Sequence, residues 1–418
     1  MWPRYIFFSI GGPFVNPQTL SILASVSAVL YWIAYAPEFN NRFANNLFGS
    51  AWVGSLAMIW IAWRLFASAV GEFPLHSLAE YFRDLIYLSS FLLIGCALAC
   101  YESGTRWLLR TVVLSGMMVA MVGVVEAVGQ RNHFVQFAAG GDAAADALRT
   151  IILDKIRGGS YRAQSVFDHP IVFAQFIAAM IPLAVYCVFY ERGLFWRTTG
   201  LLAVAVGGVA IVKTGSRAGV VSLAVAISFF AGVVWTRSMV SKGFGKAFAF
   251  AALPLLALGL VVAYLVVEEL LIGRTQVEIS STSVRLKMVA DGIAALSQSP
   301  VWGFGHGTAI SKAGVMSPAT GTATIDSMLL SIALDSGYVG LTLFIAFIVV
   351  FAVKGVTAAV RLSGEEGIRV GLIVASVMAL VATFTTLSIT NNMTLLWLLV
   401  SMGLPSIGKA IEPMRKTA

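Results

Sequence analysis

Long apolar runs constrain this chain more than any other feature. Residues 170–190 and 369–389 are two of them, and a helix of about twenty apolar residues crosses the ~30 Å hydrocarbon core of a bilayer. The chain is 58% hydrophobic and 11% charged, whereas a soluble protein carries roughly a quarter charged residues. We therefore expect an all-α polytopic integral membrane protein, and long spans with weak alternation exclude a β-barrel.

Hydropathy predicts eleven spans within a single transmembrane domain, residues 1–418, and leaves room for a twelfth near the N-terminus or in the long 326–353 stretch. The predicted spans are 17–35, 50–67, 84–101, 108–128, 170–190, 198–213, 217–235, 246–267, 326–353, 369–389 and 393–409.

Charge in the connecting segments predicts the orientation. One set of loops is basic and includes Arg106, Arg110, Arg192, Arg197 and Arg237, and the C-terminal tail is basic too. The positive-inside rule places this set, with the C-terminus, in the cytoplasm. The opposite, external set is 68–83, 129–169, 213–217, 268–325 and 389–393, while the N-terminal topology stays open.

The external loop 129–169 contains a predicted amphipathic surface helix at 142–157, with apolar residues on one face. Arg162, Asp168 and His169 follow it, just outside the fifth span. His169 precedes a proline, which indicates a turn.

The larger external loop, 268–325, contains a second predicted helix. Ser281 to Ser283 are its expected N-cap, so Arg285 falls in its first turn. Its predicted apolar stripe, from which Arg285 points away, is Leu286, Val289, Ile293 and Leu296.

Three closely spaced glycines follow this helix and surround His306. Gly303, Gly305 and Gly307 predict turns or close backbone approach. Asp326 opens the next span, where an N-cap role is the simple alternative to a functional one, and Asp335 lies about two turns deeper.

The external face thus collects four cations, Arg162, Lys213, Arg217 and Arg285, with His169, His306 and Asp326 as possible bases. One arginine guanidinium can bind two phosphate oxygens at once, so the cations suit a diphosphate headgroup on a lipid carrier. A snorkelling role is the alternative for Arg217. No Cys/His spacing indicates a metal, and the +8 net charge is spread over loops, which argues against nucleic acid.

Four segments, in order between residues 161 and 341, resemble the motifs of the O-antigen ligase and O-antigen polymerase superfamily. They are RAQSVFDHPIVFAQF, TGSRAGVVSL, SVRLKMVADGIAALSQSPVWGFGHG and IDSMLLSIALDSGYVGL. The order, with a large external loop before the late span, is more specific than any single motif.

The resemblance implies a GT-C-like fold of about twelve transmembrane helices with a large periplasmic loop in the bacterial inner membrane. It implies metal-independent, cofactor-free inverting transfer from an undecaprenyl-diphosphate-linked glycan to a glycan or to lipid A-core, with a chain-length regulator as a possible partner. By their motif positions, Arg217 and Arg285 would contact the diphosphate, and Arg162 matches a looser motif.

One departure from the family bears on the acceptor. Ligases usually carry histidine in an H-[NS]-x-x-L pattern where this chain has Asp326 in D-S-M-L-L. This favours a polymerase, with a ligase as the alternative. A lipid-linked glycan transporter is the competing class, but the chain has no evident internal repeat, and its ionisable residues gather at one membrane face. A scaffold would not need three external arginines.

Overall fold

The computed structural model describes residues 8–9, 14–15, 17–50, 52–101, 103–134, 155–157, 159–241, 276–316, 323–384 and 390–415. The helices are α1 Pro17–Tyr35, α2 Pro37–Phe48, α3 Val53–Val70, α4 Pro74–Asp84, α5 Ser90–Leu98, α6 Gly104–Gly129, α7 Pro170–Tyr190, α8 Leu194–Lys213, α9 Arg217–Ser241, α10 Gln276–Leu296, α11 Ala309–Ala313, α12 Met328–Arg361, α13 Gly364–Val381 and α14 Thr390–Arg415. A π-helical turn, Leu85–Ser89, joins α4 to α5.

Three short antiparallel strand pairs accompany the helices. They are β1 Phe8–Ser9 with β2 Phe14–Val15, β3 Ile156–Arg157 with β4 Ser160–Tyr161, and β5 Val315–Met316 with β6 Ala323–Thr324.

The polytopic all-α class is confirmed. Within the described residues, nine helices are long and apolar enough to cross a membrane. Helix α13 corresponds to the predicted span 369–389. It is not among the nine, and its first turns carry the charged residues Glu365, Glu366 and Arg369. The predicted span 246–267 lies outside the described residues.

Several predicted boundaries are wrong. Helix α4 begins at Pro74, so most of the loop predicted at 68–83 is helical. Helix α13 ends at Val381, well before the predicted 389. In 142–157, only the last three residues are described, and Ile156 and Arg157 pair as a strand with Tyr161 and Ser160, so the predicted helix cannot include them.

Helix α7 is the centre of the bundle. Over the part of α7 that is long enough to span a membrane, 83% of the residues are buried. The corresponding figure for α1, at the periphery, is 6%. Phe173, Phe176 and Tyr186 are fully buried on it. On the neighbouring α8, a Cβ at Gly200 would stand 2.8 Å from the carbonyl oxygen of Ala184. Small residues of this kind let membrane helices approach closely.

One end of the bundle, which we call the Glu191 end, is joined by ion pairs. Glu191 is 3% exposed and accepts from Arg110 at 2.6 Å, with Arg106 Nε at 3.6 Å. Arg106 also pairs with Glu365 at 2.6 Å. Arg237 donates to the carbonyl oxygen of Ala359 at 3.2 Å. These cations belong to the loop set whose charge predicts a cytoplasmic location.

The opposite end, which we call the Arg285 end, brings the predicted external segments together. Two backbone hydrogen bonds join these segments in pairs: Glu72 N to Phe304 O at 2.9 Å, and Ala163 N to Lys213 O at 3.1 Å. A third, from Met328 N to Phe384 O at 2.8 Å, ties the start of α12 to the residues that follow α13. The loops before α4, before α7, after α8 and before α12 therefore lie at one end.

Helix α12 is broken near its start. Gly337 has φ 71° and ψ −178° within the 34-residue run Met328–Arg361, where hydropathy predicts a span at 326–353. A left-handed φ favours glycine, and a Cβ there would collide with the carbonyl oxygen of Val301. The break divides the run into a short segment before Gly337 and a longer one after it.

The glycine loop Gly303–Gly307 supplies the hydrogen bonds that the break removes. Phe304 N donates to Leu334 O at 2.8 Å, and Gly305 N donates to Asp335 O at 3.1 Å. Trp63 Nε1 satisfies Ser336 O at 2.8 Å. Broken helices occur at membrane depth only where protein satisfies the freed backbone groups.

Helix α10 begins earlier than predicted. It begins at Gln276, so Ser281 to Ser283 are not its N-cap and Arg285 is not in its first turn. Leu286 and Ile293 are 68% and 54% exposed, whereas Met288 and Leu296 are buried. Of the four residues of the predicted apolar stripe, only Leu296 is buried.

Candidate functional site

Arg285 and Asp326 form an ion pair at the Arg285 end. Arg285 Nε lies 3.6 Å from Asp326 Oδ2, and the two side chains are 38% and 43% exposed. Asp326 N donates to Met288 Sδ at 3.2 Å, which ties the start of α12 to α10. The N-cap of α12 is Ser327, whose side chain accepts from Leu330 N. The capping alternative for Asp326 is therefore wrong.

His169 lies near this pair and caps α7. Its Nδ1 accepts from Ile171 N at 3.2 Å, so in the neutral ring we infer that the proton is on Nε2. Burial, together with Arg162, Lys155 and Arg285, lowers the pKa of His169 to about 3. The imidazole is thus neutral near pH 7, among three cations.

Arg162 connects this region to the turn between α8 and α9. Its Nε donates to the carbonyl oxygen of Thr214 at 2.8 Å, and a Cβ at Gly215 would stand 3.5 Å from the same Nε. Lys213 and Arg217 flank this turn, and both are exposed. Arg162 is therefore held against the segment that carries the other two cations.

Asp168 is the acidic side chain closest in sequence to His169, and it is half-buried. Burial lowers the pKa of the Lys155 ammonium, with Asp168 opposing that shift and Arg162 adding to it. Asp168 therefore lies among the same cations. We call Arg162, His169, Arg285 and Asp326 the arginine cluster.

His306 belongs to a second group, the His306 cluster, formed with Arg64, Asp84 and Asp335. His306 Nε2 lies 2.7 Å from Asp84 Oδ2, and Nδ1 lies 3.2 Å from Asp335 Oδ2. Arg64 reaches the ring at 2.7 Å and Asp84 at 3.1 Å. Asp335 Oδ1 also accepts from Ala309 N at 3.0 Å. The cluster joins α3 and α4 to the broken part of α12.

The charge state of His306 follows from these partners. Burial and Arg64 disfavour the imidazolium, but hydrogen bonds to Asp335 and Asp84 outweigh them and raise the pKa of His306 above its ordinary value. An imidazolium held between two carboxylates has no lone pair with which to accept a proton.

Three buried or half-buried ionisable residues near the site were not among the sequence candidates: Arg64, Asp84 and Glu126. Each is a charged residue within or at the edge of an apolar run. Such residues are rare in membrane spans and mark functional positions, so this signal was available in the sequence. In the described part of the chain, no group of three metal-ligating side chains that could hold a metal is present.

The fold and this site define a polytopic α-helical membrane protein with a group of arginines at one end of the bundle. Residues 201–345 match the family model described as O-antigen ligase. Over these residues the chain is similar to that family, which confirms the expected resemblance to the O-antigen ligase and polymerase superfamily.

The matched region includes Lys213, Arg217, Arg285, His306 and Asp326 but not Arg162, Asp168 or His169. It supports membrane glycosyl transfer of the O-antigen ligase and polymerase type. No curated protein sequence matches the chain.

Proposed function

We propose that this protein is a metal-independent, inverting glycosyltransferase that extends a glycan carried on undecaprenyl diphosphate. The observation that carries the proposal is the arginine cluster. Arg162 and Arg285 both act on His169, at the same end of the bundle as Lys213 and Arg217. Cations gathered at a lipid surface match a lipid-linked diphosphate in charge and geometry.

In this reaction an acceptor hydroxyl attacks the anomeric carbon of the donor. The new oxygen–carbon bond forms as the bond from that carbon to the diphosphate oxygen breaks, and undecaprenyl diphosphate leaves with the electron pair. Arg217 and Arg285, with Arg162 and Lys213, stabilise the charge that grows on the leaving group. Losing one preorganised donor of this kind commonly costs ~10²–10³ in rate.

Asp326 is the proposed acceptor of the hydroxyl proton. It is part of the arginine cluster and only half-buried. It does not cap α12, because Ser327 does. His306 is the weaker candidate because Asp84 and Asp335 hold both of its ring nitrogens. We assign His306 to the support of the α12 break instead. Neutral His169 is a hydrogen-bond donor toward the donor diphosphate in this scheme, and Asp168 orients the nearby cations.

The acceptor of the glycan distinguishes a polymerase from a ligase, since the same site serves both reactions. Asp326 stands where ligases of the superfamily usually have histidine, which favours a polymerase over transfer to lipid A-core. We also propose that the Arg285 end faces the periplasm of a bacterial inner membrane and that the C-terminus is cytoplasmic, because the Glu191 end carries the basic loops.

The test uses purified protein in lipid nanodiscs with a fluorescent undecaprenyl-diphosphate-linked oligosaccharide. Polymerase activity gives undecaprenyl diphosphate and longer lipid-linked chains. A parallel reaction with lipid A-core tests the ligase alternative. A third assay in sealed vesicles measures movement of the donor between leaflets without bond formation, which a transporter would give. Absence of product with both acceptors would overturn the proposal.

Arg285→Ala and Arg237→Ala form a matched pair of variants for this assay. Both arginines are on helices, Arg285 on α10 and Arg237 on α9, but Arg237 lies at the Glu191 end, where it donates to the backbone. Loss of product with Arg285→Ala alone supports the proposed site. Equal activity in both variants would remove Arg285 from it.

A further inference from the structure

We propose that Glu126 is a positioning residue for Arg162. It acts through the segment Tyr161–Ser165, which precedes α7. The inference rests on the proposed function in one respect, namely that Arg162 contacts the diphosphate. Glu126 lies near the end of α6 in an otherwise apolar stretch, 116–128, and its side chain is 1% exposed.

Three donors from one short segment converge on the Glu126 carboxylate. Tyr161 Oη donates to Oε1 at 2.7 Å, Gln164 N donates to Oε1 at 3.0 Å, and Ser165 N donates to Oε2 at 2.5 Å. A buried carboxylate is costly unless hydrogen bonds satisfy it, and bonds to an ionised acceptor are stronger than neutral ones.

The same segment carries a backbone conformation that needs support. Ser165 has φ 55°, which is unusual for a residue other than glycine and persists only when surrounding contacts fix it. Its backbone N–H is held by Glu126, and its Oγ donates to Val119 O at 2.7 Å. Helix α6 thus fixes the shape of the segment.

Arg162 lies inside this clamped segment, between Tyr161 and Gln164. On its other side, Nε donates to Thr214 O at 2.8 Å. The position of the guanidinium is therefore fixed from two sides. Helix α6 holds its segment through Glu126, and the α8–α9 turn holds Nε through Thr214. A bidentate phosphate contact needs this accuracy, since misplacement by about 1 Å can cost 10²-fold in rate.

Glutamine cannot replace Glu126 in this role. An amide has one acceptor oxygen and an NH₂ group that only donates. In Glu126→Gln, either Ser165 N or the pair formed by Tyr161 and Gln164 would face another donor. The carboxylate is thus required for its two acceptor oxygens, although the two side chains have nearly the same shape.

The experiment is a double-mutant cycle between Glu126→Gln and Arg162→Ala. Two quantities are measured in nanodiscs: the Kd for undecaprenyl diphosphate, and kcat/KM for glycosyl transfer. We expect Glu126→Gln to weaken both about tenfold to a hundredfold. In the Arg162→Ala background, we expect it to cost less than twofold, because residues that act as one unit are not additive.

Glu191→Gln is the matched control, since Glu191 is also a buried carboxylate but pairs at the Glu191 end. Its effect should be the same with and without Arg162. Tyr161→Phe removes one of the three hydrogen bonds to Glu126. It replaces Glu126→Gln in the double-mutant cycle if Glu126→Gln does not fold. It should give a smaller loss that also disappears in Arg162→Ala.

The two proposals fail differently. Independent, multiplying effects of Glu126→Gln and Arg162→Ala, in a protein that still transfers glycan, would overturn the positioning role alone. A full coupling in diphosphate affinity without any glycosyl transfer would preserve the positioning role and overturn the proposed function.

Discussion

Arg285 and Asp326 face each other across the junction of α10 and α12, with Nε 3.6 Å from Oδ2. Both side chains are more than a third exposed, and ion pairs of this kind contribute only about 0–1 kcal/mol to stability. The pair can therefore exchange partners at little cost when an anionic substrate arrives. For the same reason, variants at either residue separate function from folding.

Asp326→Asn should abolish most glycosyl transfer while the protein still folds. Removing a general base costs about 10²–10⁴ in rate, and losing a half-exposed ion pair costs about 1 kcal/mol or less. Initial rates in nanodiscs and the melting temperature measure the two effects. Asp291→Asn, on an exposed position of α10, is the control and should leave both unchanged.

A rate for Asp326→Asn within threefold of the unmodified enzyme would exclude Asp326 as the proton acceptor. Asp326→His is an informative companion, because histidine stands at this position in most ligases of the superfamily. We expect it to retain more activity than the asparagine variant, since an imidazole accepts a proton and an amide does not.

Lysine should not replace the arginines. We expect Arg217→Lys and Arg285→Lys to recover less than a tenth of the activity lost in the alanine variants, because an ammonium group cannot bind two phosphate oxygens as a planar fork. The measurement is the KM for the lipid-linked donor together with kcat. Full activity in both lysine variants would mean that charge alone suffices and that bidentate binding is not used.

Gly337→Ala should destabilise the protein by about 3 kcal/mol or more, since it adds backbone strain and breaks buried hydrogen bonds. A Cβ at this position collides with the carbonyl oxygen of Val301 and would push the glycine loop away from α12. Thermal unfolding in detergent and the yield of folded protein measure the effect.

Gly208→Ala is the control for that experiment. Gly208 lies within α8, and a Cβ there meets nothing within 4 Å, so alanine should be neutral or stabilise by up to about 1 kcal/mol. Similar melting temperatures for the two variants would show that the break in α12 tolerates a side chain.

The sequence predicted the parts of this fold that depend on hydrophobic length. Ten of the eleven predicted spans correspond to described helices, and the glycine spacing around His306 correctly indicated close backbone approach. The break at Gly337 was not predicted, because it depends on hydrogen bonds from a loop that is distant in sequence. Of the apolar stripe expected on α10, only Leu296 is buried, because the sequence pattern does not show which side of a helix the rest of the protein covers.

For the candidate site, charge and position identified the cations, but not their partners. The sequence gives no signal that Asp84 and Asp335 hold His306 or that Ser327 caps α12, since both depend on the three-dimensional contacts between helices. Glu126 is the single acid of α6. An acid in a membrane span is a signal of function, but its hydrogen-bond partners in the segment Tyr161–Ser165 are evident only from the three-dimensional structure.

The His306 cluster should make stability depend on pH in one direction. Asp84 on α4 and Asp335 on α12 raise the pKa of His306 in the folded protein and outweigh burial and Arg64 on α3, which lower it, while the unfolded value is about 6.5. The extra stability is fully present below that unfolded value and is lost as the pH rises through the folded pKa.

We therefore expect the melting temperature of the unmodified protein to exceed that of His306→Gln most at pH values up to about 6.5, with the difference narrowing as the pH rises further. The folded pKa of His169 is about 3, so His169 makes the folded protein less stable as the pH falls below about 6.5 and has no effect above it. It is present in both proteins, so the difference isolates His306. His76→Gln, at an exposed position of α4, should leave the pH profile unchanged. A gap that widens with rising pH would mean that His306 is neutral in the folded state and that the two carboxylates do not hold an imidazolium.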